Sequence, residues 1–155
     1  TQQITLALWV PEMSMSGSCD CNNITIVWHT DESNFIPRAC QCDYCSSKSA
    51  AYVTSPGTTI DVAINNDALH NKVQHGSNSA VFHECSNCNQ LVFVTSEIEG
   101  QLYGALNAKN LDSKQKFSAP VKLNFSSQTA EQKRDRWRQN WCHPVLITRP
   151  STNAR

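Results

Sequence analysis

Apolar and polar residues alternate in short runs along most of the chain, and only one stretch near its end carries a helical period. Ile4, Leu6 and Leu8 share one face of a run over residues 4–10. Residues 23–29 are rich in β-branched and aromatic side chains, as are residues 51–54, and both read as strands. Ser55-Pro56-Gly57 is a turn before a strand over residues 59–64. Asn65-Asn66-Asp67 marks a second turn, after which residues 68–75 are expected to be extended. Gly76-Ser77-Asn78 separates that run from residues 79–84, and residues 90–95 and 101–106 complete the main set. Residues 107–119 read as irregular and residues 120–125 as one further short strand. Short strands with turns this frequent predict an antiparallel sandwich or barrel-like β fold.

The helix is expected over residues 130–141. Thr129 stands at its N-cap with Gln132 three residues on, the pattern of a capping box. Trp137 and Trp141 fall one turn apart and share a face, which docks the helix on the sheet. Lys133, Arg134, Arg136 and Arg138 make its other face basic and solvated. If that face acts at all, an anionic substrate tail is its partner. Residues 150–155 read as a frayed tail.

Composition narrows the class without naming a function. The chain has 155 residues, 39% hydrophobic and 17% charged, which suits one domain over residues 1–155 with a real core. Thirteen basic residues balance thirteen acidic ones, so no net field argues for nucleic acid or a membrane surface as partner. No apolar run approaches the roughly 20 residues needed to span a bilayer. The opening Thr1-Gln2-Gln3-Ile4-Thr5 lacks the basic and apolar regions of a secretory signal. Nothing in the sequence sets an oligomeric state. No Gly-rich phosphate loop, G-x-S-x-G or H-E-x-x-H is present.

The cysteines change the picture. Seven of the eight lie in three clusters: Cys19-x-Cys21, Cys40-x-Cys42-x-x-Cys45 and Cys85-x-x-Cys88. A C-x-C pair in extended chain is at the limit of disulfide geometry, whereas C-x-x-C in a turn points two sulfurs at one ion. The spacing therefore favours zinc, and with it a reducing, cytoplasmic location. Each cluster also falls where a strand begins or ends, as a metal knuckle does. The outer pairs Cys19/Cys21 and Cys85/Cys88 together make a four-cysteine site that staples an early loop to a distant hairpin. The triplet Cys40/Cys42/Cys45 is compact enough to reach one ion unaided, with its fourth position left to Cys142, a His, water or a substrate. Three thiolates on a divalent zinc leave a net charge of about −1, which favours exchange of a labile fourth ligand for a substrate thiolate.

The combined spacing resembles the glutathione-dependent formaldehyde-activating enzyme family, which includes the centromere protein V-like domain. The residues that carry the likeness are Gly17-Ser18-Cys19-Asp20-Cys21, Cys40-Gln41-Cys42-Asp43-Tyr44-Cys45 and Phe82-His83-Glu84-Cys85-Ser86-Asn87-Cys88. Leu102-Tyr103-Gly104-Ala105-Leu106-Asn107 is similar to the strand that follows the last cluster. The likeness is strongest over residues 17–111, with residues 112–155 a C-terminal extension that carries the helix. It implies a mainly β fold of small twisted antiparallel sheets leaning together, the β-tent, with zinc knuckles and a C-terminal helix. It also implies a structural zinc on Cys19, Cys21, Cys85 and Cys88, and a second, labile zinc on Cys40, Cys42 and Cys45 as the catalytic one. The sequence departs from many relatives after the triplet: Ser46-Ser47 precede Lys48 where those carry Arg or Lys at once. A cation there would meet an anionic thiol.

The leading expectation is a zinc-dependent carbon–sulfur lyase-type enzyme acting on a small-molecule thiol and aldehyde, as in the chemistry of glutathione and formaldehyde. The alternatives are a non-catalytic zinc-stabilised binding module and a redox sensor whose triplet oxidises to a disulfide. His83, two residues before Cys85, would point to the same side of a strand as that cysteine, as a packing residue or a partner of its thiolate. His29, His70, His75 and His143 have no spaced partner, and Asp31, Glu32, Glu97 and Glu99 read as solvated loop charges.

Overall fold

The computed structural model describes residues 14–30, 35–74, 80–112, 117–123 and 128–149. The strand expected over residues 4–10, the turn at 76–78 and the tail at 150–155 lie outside them, as do His75, Asp31 and Glu32. Among the described residues, eleven strands form two sheets. The four-stranded sheet has the order β1 (Met15–Ser18), β2 (Ile24–His29), β5 (Thr59–Ile64), β11 (Val145–Thr148). The seven-stranded sheet runs β10 (Val121–Leu123), β3 (Arg38–Cys40), β4 (Tyr52–Val53), β9 (Gln101–Asn107), β8 (Gln90–Ile98), β7 (Val81–Cys85), β6 (His70–Val73). Two helices complete the set, α1 (Asp43–Ser47) and α2 (Ala130–Asn140).

The alternation explains which face of each strand is inside. Ile24, Ile26 and Trp28 of β2 and Ile60, Val62 and Ile64 of β5 are buried, with their neighbours half-exposed or exposed. These side chains meet Phe93 and Leu106 of the larger sheet in one core cluster. Trp28 is fully buried there and its indole N–H donates to Thr58 Oγ1 at 2.9 Å, so its polar atom is satisfied. The two sheets touch at Gly104, whose N–H and C=O exchange bonds with Cys142 at 2.9 Å each. A Cβ at that position would stand 2.7 Å from Val145 Cγ2, so only glycine admits so close an approach. Residues 91–96 of β8 are buried on both faces, because the core covers one and α2 the other. Trp137 and Trp141 stack at 4.6 Å and dock α2 against Val94 and Ala105.

The fold is mainly β with a C-terminal helix, as expected, and two local expectations change. The run expected as extended from residue 68 instead opens with a 3₁₀ turn, Asp67–Leu69, because Asn66 Oδ1 accepts the Ala68 N–H and coils the chain before β6 starts. The sheets are mixed rather than purely antiparallel: β10 pairs parallel with β3 and β11 parallel with β5. No described helix is long and apolar enough to cross a membrane.

Candidate metal centres and the recess beside one of them

The two outer cysteine pairs come together on two turns of the same design. Cys19 closes β1, its N–H donates to Ile24 O at 3.1 Å, and its sulfur accepts the Ile24 N–H at 3.4 Å. Cys85 closes β7, and Asn89 N–H donates to Cys85 O at 2.7 Å. Each turn is finished by an asparagine with positive φ, Asn22 at 63° and Asn89 at 58°, a conformation asparagine tolerates better than most residues. Gln90 bridges the turns, because its Oε1 accepts the Asp20 N–H at 2.7 Å and faces Cys88 Sγ at 3.7 Å. Asn110 adds a bond from Nδ2 to Ser18 O at 3.2 Å.

The result is four sulfurs, those of Cys19, Cys21, Cys85 and Cys88, all within 4.8 Å of one another. Cys21 lies 3.7 Å from Cys19 and 3.5 Å from Cys85, sulfur to sulfur. Zinc bound tetrahedrally at about 2.3 Å sets its ligand sulfurs about 3.8 Å apart, so the donor set and its spacing fit that ion. Burial pushes the Cys19 thiol up to about 12, while hydrogen bonds from Asn87 and the Asn23 backbone pull Cys21 down to about 6. Four crowded sulfurs cannot all be thiolates without a cation among them.

The triplet is built by a strand end and one helical turn. Cys40 ends β3, Cys42 caps α1, and Cys45 lies in that helix with its N–H donated to Cys42 Sγ at 3.4 Å. Their sulfurs again lie within 4.8 Å of one another. Among the described residues no fourth His, Cys, Asp or Glu joins this group. Hydrogen bonds from Cys45 pull the Cys40 thiol down to about 5, and the same contact, together with burial, raises Cys45. One proton shared between two sulfurs is what a bare thiolate cluster shows; a divalent cation would remove the conflict. Three soft donors this close together fit zinc.

Cys142 stands apart from both groups. It is fully buried in the main core, accepts the Ser55 N–H at 3.5 Å, and burial raises its thiol. His83 shares the strand face of Cys85, as its spacing predicts, but serves there as a packing residue rather than a bonded partner of the thiolate. β7 keeps its alternation through Cys85, because the extra residue at the register shift, Val92, lies on β8 and the pairing with β6 runs unbroken through Lys72↔His83 and His70↔Cys85. The His83 ring bonds His70 and Thr95 at 2.8 Å each and stacks on Phe93 at 4.1 Å. His29 pairs with Asp61 at 2.6 Å, and His143 bonds Gln101 at 2.6 Å. Glu97 and Glu99 are exposed.

Side chains that spacing alone did not single out surround the triplet. Tyr52 Oη lies within hydrogen-bond reach of Cys45 Sγ at 3.2 Å, and burial raises that phenol's pKa. Tyr44 O–H donates to Glu84 Oε2, and Lys48 Nζ sits 3.5 Å from the same oxygen. The cation next to the triplet in sequence is thus already paired with a carboxylate. A recess opens beside Cys40 and Cys45, lined by Phe82, Val94, the Trp137/Trp141 pair, Arg38 and Arg136. Only the period of α2 hinted at this wall, since it puts Trp137 and Trp141 on one face.

The model of the family described as glutathione-dependent formaldehyde-activating enzyme matches residues 14–127. No curated protein matches the chain. A crystal structure of a Rhodobacter sphaeroides protein is similar at 19% identity and a TM-score of 0.47, over 63% of this chain and 88% of that one.

Proposed function

The chain belongs to the glutathione-dependent formaldehyde-activating enzyme family, and we propose that it is a zinc-dependent carbon–sulfur lyase-type enzyme that joins a thiol to an aldehyde, or separates their adduct, beside Cys40, Cys42 and Cys45. The observation that carries this reading is the triplet itself: three clustered sulfurs, no fourth protein ligand among the described residues, and a recess open on that side. A saturated four-cysteine zinc is inert, whereas a zinc with one exchangeable position accepts a substrate. The pairs Cys19/Cys21 and Cys85/Cys88 are accordingly assigned the structural ion.

In the forward direction the substrate sulfur forms a bond to the aldehyde carbon. The carbonyl π pair moves to oxygen, and the proton lost by the thiol ends on that oxygen as a hydroxyl. The reverse reaction breaks the same C–S bond and regenerates thiol and aldehyde. Zinc, when bound, would lower the pKa of the substrate thiol so that its thiolate is present at neutral pH. The chain supplies the rest. Cys42 and Cys45 are fixed by α1, Tyr52 holds the Cys45 sulfur, and the apolar wall excludes water from the reacting pair.

Metal content and turnover with a panel of thiols and aldehydes test the reading together. The expected result is up to two zincs per chain and a C–S adduct formed or cleaved with at least one pair. Cys40→Ser and Cys42→Ser should each lose one zinc and more activity than the roughly 100-fold that loss of an outer-sphere partner costs. Two tightly held zincs with no turnover on any pair would overturn the enzyme in favour of a binding module.

A further inference from the structure

The recess beside Cys40 and Cys45 has a size and a charge that restrict which thiol can enter. Its volume is about 100 Å³. That is smaller than the roughly 150 Å³ of an engineered cavity that accepts benzene. A few carbons and a sulfur fill such a space, and a tripeptide would leave most of its atoms outside. Phe82, Val94 and Ala80 wall the recess with apolar surface suited to a short carbon chain.

The charge is just as selective. Arg38 and Arg136 line the recess, and none of its lining residues is acidic. They come from β3 and α2, so the fold brings two guanidiniums together against their mutual repulsion. Arg136 donates one N–H to Gln128 Oε1 and its guanidinium carbon lies 5.8 Å from the Trp137 ring centroid, contacts that orient the fork. Lys48, the other nearby cation, is engaged by Glu84 at 3.5 Å. Three thiolates on a divalent zinc leave about −1, and a substrate thiolate with a carboxylate would add two more negative charges. Two guanidiniums offset that addition; without them the like charges would repel the ligand.

We propose that the thiol used here is a compact mercapto-carboxylate, its carboxylate held by Arg38 and Arg136 and its sulfur turned toward Cys40 and Cys45. This rests on the reading of the triplet as the reaction centre and replaces a glutathione-sized cosubstrate by a much smaller acid. The carboxylate and thiol are separated by two or three bonds' worth of carbon, the length that the walled space holds. The aldehyde then approaches the sulfur from the open side.

Trp137 and Trp141 report on ligand binding directly, so the test is a fluorescence titration of the zinc-loaded full chain. The ligands are mercaptopropionate, mercaptoethanol, cysteamine, propionate and glutathione. Mercaptopropionate should bind at least about tenfold more tightly than mercaptoethanol, the ratio expected from one charge-assisted hydrogen bond, with cysteamine weakest. Arg136→Gln and Arg38→Gln should each collapse that ratio to within about twofold, and Arg136→Lys should restore part of it. Equal binding of mercaptopropionate and mercaptoethanol overturns the inference and leaves the proposed reaction standing. So does tighter binding of glutathione, or a ratio unchanged in Arg136→Gln and Arg38→Gln. Binding of propionate with no binding of any thiol overturns both, because the sulfur would then have no place at the triplet.

Discussion

His83 shows how a correct pattern can place a residue without giving its role. Two residues before a cysteine in a strand, it shares that cysteine's face, and because that face is the core its ring packs there instead of bonding the sulfur. Only 3% exposed, it is held between His70 and Thr95, and burial drives its pKa down from 6.5 to about 3. The folded state therefore keeps His83 neutral, while the unfolded chain takes up a proton below pH 6.5. Between those values the unfolded state binds more protons, so stability rises with pH. His83 contributes in full above pH 6.5 and loses ground steadily as the pH falls toward 3, about 2 kcal/mol by pH 5. Urea unfolding of zinc-saturated protein from pH 7 to 5 should show this slope, and His83→Gln should flatten it by close to one proton. An unchanged slope would mean that His83 titrates normally in the folded protein. Tyr52 is a second case, a residue with an evident place in a strand and an unforeseen role, because nothing in a strand pattern says that a phenol will end 3.2 Å from a cysteine sulfur.

At the scale of elements, α2 links stability to the recess. Its capping box is complete: Gln132 N–H donates to Thr129 Oγ1 at 3.1 Å and Thr129 N–H donates to Gln132 Oε1 at 2.9 Å. Thr129→Ala should cost about 1 kcal/mol and lower the melting temperature by about 2–4 °C. Because the same helix carries Arg136 and Trp137 and ends at its C-cap Trp141, the substitution should also broaden the tryptophan emission; a shift in melting temperature with unaltered fluorescence would uncouple the cap from the wall. This helix, β2, β5, β8 and β9 were legible in the sequence because each carries its own period or a dense run of β-branched and aromatic residues. β1, β3, β11 and α1 were not. Met15–Ser18 has no apolar alternation, β3 and α1 are too short to show a period, and β11 is defined by a parallel partner eighty-odd residues earlier. Parallel pairing leaves no local signature, so the mixed character of both sheets was equally hidden.

For the molecule as a whole, the proposed assignment gives the two cysteine groups different mechanical work. Metal-ligand spacing made both groups legible, because each outer pair needs the other to supply four sulfurs, while the triplet gathers three within six residues. The recess was not legible, since β3, β4, β7 and α2 each bring one part of it from a distant stretch of chain. Cys21 and Cys85 stand 64 residues apart, and joining them through an ion ties the smaller sheet at the end of β1 to the β7–β8 hairpin of the larger one. Closing a loop of that length removes chain entropy worth about 4 kcal/mol from the unfolded state. The triplet spans six residues, from Cys40 to Cys45, and closes no comparable loop. Its ion, with one ligand fewer from the protein, should also leave first. Titration with a chelator, following zinc release by a colorimetric indicator and structure by circular dichroism, should therefore resolve two phases. In the first, zinc leaves the triplet with the β spectrum and melting temperature nearly unchanged. In the second, loss of the outer ion lowers the melting temperature by about 10 °C or more, the shift that several kcal/mol produce in a chain of this size. Cys19→Ser should abolish the second phase by starting from the destabilised state, and Cys40→Ser should abolish only the first. If a single phase removed both ions and unfolded the chain at once, the triplet would be as structural as the clamp.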